Sequence, residues 1–443
     1  MKDSRAAGAE RDTDVAIVGA GIVGATLALL LGQAGLRVML IEGRESPASW
    51  QADSAPEPRV SALTPVSQQL LTGLGVWSTV AASRLMPYTG MQVWDAEGNG
   101  EIRFSAEDNG VARLGHIIEN RVTLAALEQA IDRCPAITRC YGVRVNDLAL
   151  PISGSTSVVN AYLLKDAKAV SLTLSDGGSV SAALVVAADG ARSGLRDLAG
   201  IATREHDTGQ VALVTTVRTA LPHQAIARQR FLPTGPLAFL PLAVNDEWAQ
   251  PSEAAPAAQR YCSIVWSTTP EEASRLQALS DRAFYSELQT AFEDTLGTVE
   301  WAAERFSFPL YQRHAEEYVL PGLALVGDAA HAIHPLAGQG VNLGLMDAAV
   351  LAEELLAGHR RGVALGDERW LKRYSRRRRS DNALMLKMMD GFRLLFGSRQ
   401  PGVRLIRNLG LGWVDNRSEL KRILMRQAMG ERGELPDSCK PRQ

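Results

Sequence analysis

The sequence predicts an α/β fold in which a lobe built on parallel strands is interrupted by an antiparallel sheet lobe and followed by a helical C-terminal part. Three observations point to it. A short apolar strand, 14–18, runs directly into Gly19-Ala20-Gly21-Ile22-Val23-Gly24 and an apolar helix. Two further apolar strands, 184–188 and 323–326, close on Asp189-Gly190 and on Gly327-Asp328. Between these two lie longer β-like runs, which makes the first lobe discontinuous.

The first motif has the order that a dinucleotide-binding βαβ unit needs. Gly19 allows the tight turn, Gly21 lets backbone approach a pyrophosphate, and Gly24 lets helix pack on strand; the second strand, 37–41, ends in Glu42, placed to bond ribose hydroxyls. A glycine turn without a ligand would leave Glu42 unexplained. Residues 45–59, rich in Pro, Ser and Ala, read as a loop, and 60–77 resumes helical apolar spacing. Arg59 stands at that junction, either within reach of a cofactor's pyrophosphate or ring edge, or simply solvated. A hairpin is expected over 91–104, followed by a helix led by Glu119-Asn120-Arg121, where Arg121 either neutralises phosphate or decorates a helix end.

Short strands with polar turns fill 141–188, and the last carries the second motif. Asp189-Gly190 brings backbone near phosphate, and Arg192 or Arg196 adds positive charge for a pyrophosphate or an incoming nicotinamide dinucleotide. From 211 to 310 the pattern becomes antiparallel, with strands over 211–217, 237–242 and 261–267 and a helical segment over 271–292. A cleft between two lobes is where ligands settle, so Phe239, Leu240, Pro241 and Trp266 are candidates for lining a substrate pocket, with ordinary core the competing role for each.

The third motif runs from Gly327 to Asn342. Asp328 would sit at a strand's carboxyl end, where it can accept from ribityl or ribose hydroxyls. Gly338 and Gly340 let backbone approach a flat ring, and the helix over 343–356 turns its positive end and unpaired N–H groups toward it. Such a site suits a ring that becomes anionic, as a reduced flavin does. His331 and His334 lack further ligands at a supporting spacing, which argues against a metal. Beyond 356 the chain reads as helical; Arg376 to Arg379 suggest a solvated helix face or a surface for an acidic partner or membrane.

At 443 residues the chain is long enough for two packed lobes. Apolar residues make up 46%, and a net charge of -2 gives no electrostatic footprint for nucleic acid. Cys134, Cys140, Cys262 and Cys439 form neither a CxxC pair nor a dense framework, which favours a reducing compartment. A polar start and the lack of an uncharged apolar stretch near 18 residues argue against a signal peptide or spanning helix, so a cytoplasmic protein with at most peripheral membrane contact is expected.

Taken together, Gly19 to Gly24 with Glu42, Asp189-Gly190 with Ser193 and Arg196, and Gly327-Asp328 with His334-Pro335 and Gly338-Gln339-Gly340-Val341-Asn342-Leu343-Gly344 resemble the single-component FAD-dependent aromatic hydroxylases. The match is closest to the hydroxylases of ubiquinone biosynthesis, through Pro58-Arg59-Val60-Ser61-Ala62-Leu63, Gly115-His116-Ile117-Ile118-Glu119-Asn120, Gly235-Pro236-Leu237-Ala238-Phe239-Leu240-Pro241-Leu242 and the segment 381–392. This resemblance covers nearly the whole chain. It implies an FAD-binding lobe, Rossmann-like, over 13–205 and 311–360, an antiparallel-sheet substrate lobe over 206–310 and a helical region over 361–430; polar composition marks 1–12 as a disordered tail and 431–443 as a polar tail expected to be disordered. Adenosine ribose would rest on Glu42, pyrophosphate near Gly19 to Gly24, the ribityl chain on Asp328, and the flavin ring before Gly338, Gly340, Val341 and Asn342. NADPH or NADH would reduce the flavin, and O2 would form a flavin hydroperoxide that hydroxylates a polyprenylated phenol or benzoquinol. No side chain is named as catalytic. Other readings are a related monooxygenase, epoxidase or reductase acting on another aromatic or isoprenoid substrate, and a flavin-stabilised scaffold among ubiquinone-synthesis proteins. An oligomer is compatible with the resemblance, as is either nicotinamide, NADPH or NADH.

Overall fold

The computed structural model of the chain describes residues 10–151, 169–244, 259–332, 340–397 and 417–440. Its first sheet holds five parallel strands in the spatial order Leu323–Leu325, Ser179–Ala187, Glu10–Val18, Val38–Glu42 and Ile137–Tyr141. Val15, Ala16 and Ile17 are fully buried, as are Leu184, Val185 and Val186, which explains why these strands read as continuous apolar runs rather than as alternations. Antiparallel strands Val145–Ala149, Val170–Leu174 and Val319–Leu320 complete the sheet. The strand expected over 14–18 begins at Glu10, so residues 10–12, assigned to a tail, are instead paired with Ser179 to Ser181.

The second sheet has nine strands, ordered His331–Ala332, Phe306–Ala315, Thr203–Thr219, Tyr261–Thr268, Gly235–Leu242, Ile226–Leu232, Gly90–Asp95 and Glu101–Ser105, with Val299–Ala302 beside Thr203–Thr219. The hairpin expected over 91–104 therefore belongs to this sheet and not to the first lobe, joined by a parallel pairing of Gly90–Asp95 with Ile226–Leu232. Local alternation foretells a hairpin but not the sheet that receives it. The helical reading of 60–77 also needs correction: Val60–Leu63 is a strand of a third, three-stranded sheet with Gly115–Glu119 and Leu85–Tyr88, and helix Pro65–Gly73 starts only after the Thr64 cap. Thr64 accepts from the Ser67 N–H, and Pro65 at the first helical position fits the helix geometry.

Helices Ile22–Gly32 and Gly340–His359 cover the first sheet, and they meet where Gly344 leaves no room for a side chain: a Cβ there would lie 2.5 Å from Val23 Cγ2. The back of the second sheet packs Leu213, Phe239, Ile264 and Trp266 against helices Pro270–Ala278 and Asp281–Ala291. Its front packs Ala227, Ala238, Leu240 and Leu242 toward the small sheet and the helix Ser418–Ala428. Helix Glu368–Gly397 crosses over, stacking Phe396 on Phe231 at 3.8 Å. The segment 431–440, expected to be a disordered tail, packs back: Cys439 is buried and the Asp437 N–H donates to Glu353 Oε2 at 2.8 Å. Among the described residues no helix is long and apolar enough to cross a membrane.

Candidate cofactor site at the carboxyl edge of the parallel sheet

Register decides which residues meet. Val18 pairs with Ala187 and Ile41, and Ala187 pairs with Leu325. The turns that follow, at Gly19, Glu42, Asp189 and Asp328, therefore leave one edge of the sheet side by side, at the carboxyl ends where open α/β sheets bind ligands. Asp328 and Glu42 stand three strand spacings apart, roughly 14 Å, a span that one extended dinucleotide bridges.

The glycine turn is built for close approach. Gly19 has φ +104°, and a Cβ there would strike the Ala188 carbonyl oxygen at 2.3 Å; a Cβ on Gly24 would strike the Gly19 carbonyl oxygen at 2.0 Å. Gly21 differs, because its Cβ would meet nothing within 4 Å. Gly21 caps helix Ile22–Gly32 without a side-chain hydrogen bond, so the amides of the first turn stay available to an anion. Glu42 is oriented by two backbone donors, Ala20 N–H to Oε2 at 2.8 Å and Arg44 N–H to Oε1 at 3.0 Å. The half-buried carboxylate keeps lone pairs for hydroxyl groups.

At the second motif, Gly190 has φ +85° and Asp189 Oδ2 accepts the Leu195 N–H at 3.2 Å. Burial pushes the Asp189 carboxyl upward, while Ser193, backbone donors and Arg196 pull it back. Of the two arginines expected here, Arg192 or Arg196, the latter is buried and bonds the backbone carbonyls of Ala191 and Ala329, while Arg192 is exposed. At the third motif, Asp328 is exposed yet surrounded by protein, as on the floor of a cleft: the crowding pushes its carboxyl upward and His331 and Arg59 draw it down. Arg59 is exposed and lies over the Phe308 ring at 5.4 Å, between the two lobes.

Arg121 is exposed and has a structural part as well. Its Nε donates to the Ser49 carbonyl at 2.7 Å and its N–H donates to Glu57, while Glu119 accepts the Glu57 N–H at 2.7 Å. Together these tie down the loop that carries Arg59. Asn342 is likewise an internal tie: its Oδ1 accepts from Thr64 N–H (3.1 Å) and Ser67 Oγ (2.7 Å), and its Nδ2 donates to the Ala62 carbonyl (2.8 Å). With the Asn342 side chain so engaged, what this segment offers to a ring is the backbone of Gly340, Val341 and Asn342, the first turn of helix Gly340–His359. Gly338 and His334 lie outside the described residues, and His331 is bonded to Asp347.

The expected pocket residues divide between two faces. Phe239 and Trp266 are buried beneath the back helices, Phe239 stacked on Phe292 at 3.6 Å, and Pro241 shares their side by alternation. They cannot face the cleft. Leu240 is on the front, as are the cross-strand neighbours Phe308, Ala212, Val214 and Val265. Phe308 is 37% exposed, and Ser263 Oγ, on the same front, bonds the Pro58 carbonyl at 3.2 Å beside Arg59. Phe308, at the accessible part of this apolar front, thus lies under Arg59, whose charge also reaches Asp328 at the carboxyl edge of the parallel sheet.

These residues fit FAD: a close-packed glycine turn with open space at Gly21, an oriented acid at one end and an accessible acid at the other. The chain matches the FAD binding domain family over residues 12–387. It is similar to the 3-demethoxyubiquinol 3-hydroxylase of Escherichia coli (strain K12), 39% identical over 418 residues that cover 94% of this chain and 98% of that one. It is also similar to the ubiquinone hydroxylase UbiL of Rhodospirillum rubrum, 38% identical over 422 residues, 95% of this chain and 90% of that one. The crystal structure of p-nitrophenol 4-monooxygenase PnpA from Pseudomonas putida DLL-E4 shares the fold with a TM-score of 0.72 at 20% identity, covering 95% of this chain and 98% of that one.

Proposed function

The chain belongs to the FAD binding domain family and is an FAD-dependent monooxygenase, and from that premise we propose that it hydroxylates the ring of a polyprenylated ubiquinone precursor, using NADPH or NADH as reductant and O2 as oxidant. The reading is carried by one juxtaposition: an accessible carboxylate, Asp328, at the carboxyl edge of the parallel sheet, and the exposed Phe308 on the apolar front of the second sheet, with Arg59 beside both.

Bound FAD, once reduced, supplies the chemistry that activates oxygen. The chain binds and orients. Amides at Gly21 and the helix behind it receive the pyrophosphate, Glu42 accepts from the adenosine ribose, and Asp328 accepts from ribityl hydroxyls. The first turn of Gly340–His359 presents its amides to negative charge on the ring. Arg59 borders the cleft and adds a positive charge beside Asp328. The front of the second sheet holds the aromatic ring and excludes water, which an oxygen transfer requires. Partners are the benzoquinol-type substrate, O2 and the nicotinamide; so apolar a substrate favours exchange with other quinone-synthesis proteins or a membrane surface.

The test is isotopic. With 18O2, FAD, NADPH and a polyprenylated phenol, the hydroxylated product is expected to carry one labelled oxygen. Oxidation of NADPH with no label in the ring would contradict the proposal.

A further inference from the structure

Two residues flank Asp328 closely, and one carboxylate holds both. Gly327 donates its N–H to Asp347 Oδ2 at 3.0 Å, and His331 donates from Nε2 to the same oxygen at 2.5 Å. An ionised carboxylate only accepts, so Nε2 carries the ring proton. The other oxygen, Oδ1, accepts from Arg378 Nε at 2.6 Å and from Asn382 Nδ2 at 3.2 Å, and Arg378 Nη2 closes the ring onto Asn382 Oδ1 at 2.8 Å. Asp347 and Asn382 are fully buried and Arg378 is 4% exposed. The arginine run is thus not wholly a solvated face: its third member is a core cation. Burial pushes the Asp347 carboxyl up, but His331 and Arg378 outweigh it and hold it at about 2.

A buried ion pair is a poor device for stability alone, since apolar groups of the same shape often serve as well. It is a good device for geometry. Both oxygens of Asp347 are used, one toward the loop and one toward helix Glu368–Gly397. Gly327 takes φ +58°, and His331 pairs with His314 in the second sheet. The short stretch bearing Asp328 is therefore pinned at both ends.

We propose that Asp347, anchored by Arg378, is a positioning residue for the cofactor site, fixing Asp328 through Gly327 and His331 and making helix Glu368–Gly397 part of FAD binding. This rests on the reading of Asp328 as a cofactor contact. Asn382 Nδ2 extends the network to the Tyr318 hydroxyl at 3.3 Å, and that hydroxyl meets His314 Nε2 at 3.1 Å, so loop, helix and second sheet share one set of bonds.

The test measures the FAD dissociation constant by fluorescence titration, and the Tm of the apoprotein, for the wild type, His331→Ala, Asp347→Asn, Asp328→Ala and Leu288→Ala. Leu288 is fully buried behind the second sheet, so its variant shows how affinity follows stability lost elsewhere. His331→Ala and Asp347→Asn are expected to weaken FAD binding about tenfold or more, the loss of a charge-assisted hydrogen bond, beyond what Leu288→Ala shows per degree of Tm. If both fall with Leu288→Ala, the network is merely structural and the inference is overturned. Unchanged affinity in Asp328→Ala would instead overturn the reading of Asp328, and this inference with it. Should Asp347→Asn fail to fold, His331→Ala, which keeps the Asp347–Arg378 pair, decides the comparison.

Discussion

Arg196 joins the second motif to the third: its Nη1 donates to the Ala329 carbonyl at 3.2 Å and to the Ala191 carbonyl at 3.3 Å. Ala329 follows Asp328 directly, so the guanidinium sets the spacing between the Asp-Gly turn and the cleft-floor carboxylate. Arg196→Ala is expected to cost about 2 kcal/mol of unfolding free energy, because buried carbonyls lose a charged donor. Arg196→Lys should recover little, since an ammonium cannot reproduce the fork. Urea titration of the apoprotein measures both.

The glycines of the first motif separate folding from binding. Gly24→Ala places a Cβ 2.0 Å from a backbone oxygen that cannot move aside, and loss of folded protein is expected. Gly21→Ala meets open space, so its apoprotein should melt within about 3 °C of wild type, as a change of roughly 0.5 kcal/mol implies. Its FAD affinity should fall sharply, because the methyl group occupies the ligand's path. Equal loss of both properties in the two variants would count against a pyrophosphate at this turn.

What could be read from the chain alone follows the range of the physics. Gly19 to Gly24, Glu42, Asp189 and Asp328 were legible because each sits within a few residues of a strand end, and the strands are buried on both faces. Phe239 and Leu240 were not separable, since alternation defines two faces without saying which one meets the cofactor lobe. Asn342 reads as a cofactor contact in its motif, yet its side chain is taken up by Ala62, Thr64 and Ser67, whose neighbourhood only the fold reveals. Arg378 was hidden in a run of charge. Its signal was in Asp347, a lone acid in the apolar sequence Leu343-Gly344-Leu345-Met346-Asp347-Ala348-Ala349, which demands a buried partner.

The two faces of the second sheet give opposite expectations. Phe308→Ala on the exposed front should change stability by no more than about 0.5 kcal/mol, while raising KM for the aromatic substrate severalfold. Phe239→Ala on the back should cost about 3–5 kcal/mol, with the product unchanged. Steady-state kinetics with thermal melts checks both.

Acid should weaken the apoprotein through buried histidines. Burial, then the charge of Arg113, lowers His116 from 6.5 to about 4; burial and nearby cations lower His314 likewise. The unfolded chain then binds more protons across that window, so stability is full above the unfolded value and falls as pH drops toward 4. For wholly buried His116 the loss is about 3 kcal/mol. His116→Phe should flatten the profile in denaturant titrations between pH 7 and pH 4; an unchanged slope would contradict the assignment.

Mass spectrometry of the quinone intermediates in cells lacking this protein tests the central claim most directly. One polyprenylated precursor short of a ring oxygen should accumulate, with ubiquinone restored by the wild-type chain and not by Asp328→Ala. Unchanged ubiquinone, or full rescue by a variant that binds no FAD, would contradict a flavin-dependent ring hydroxylation at this site.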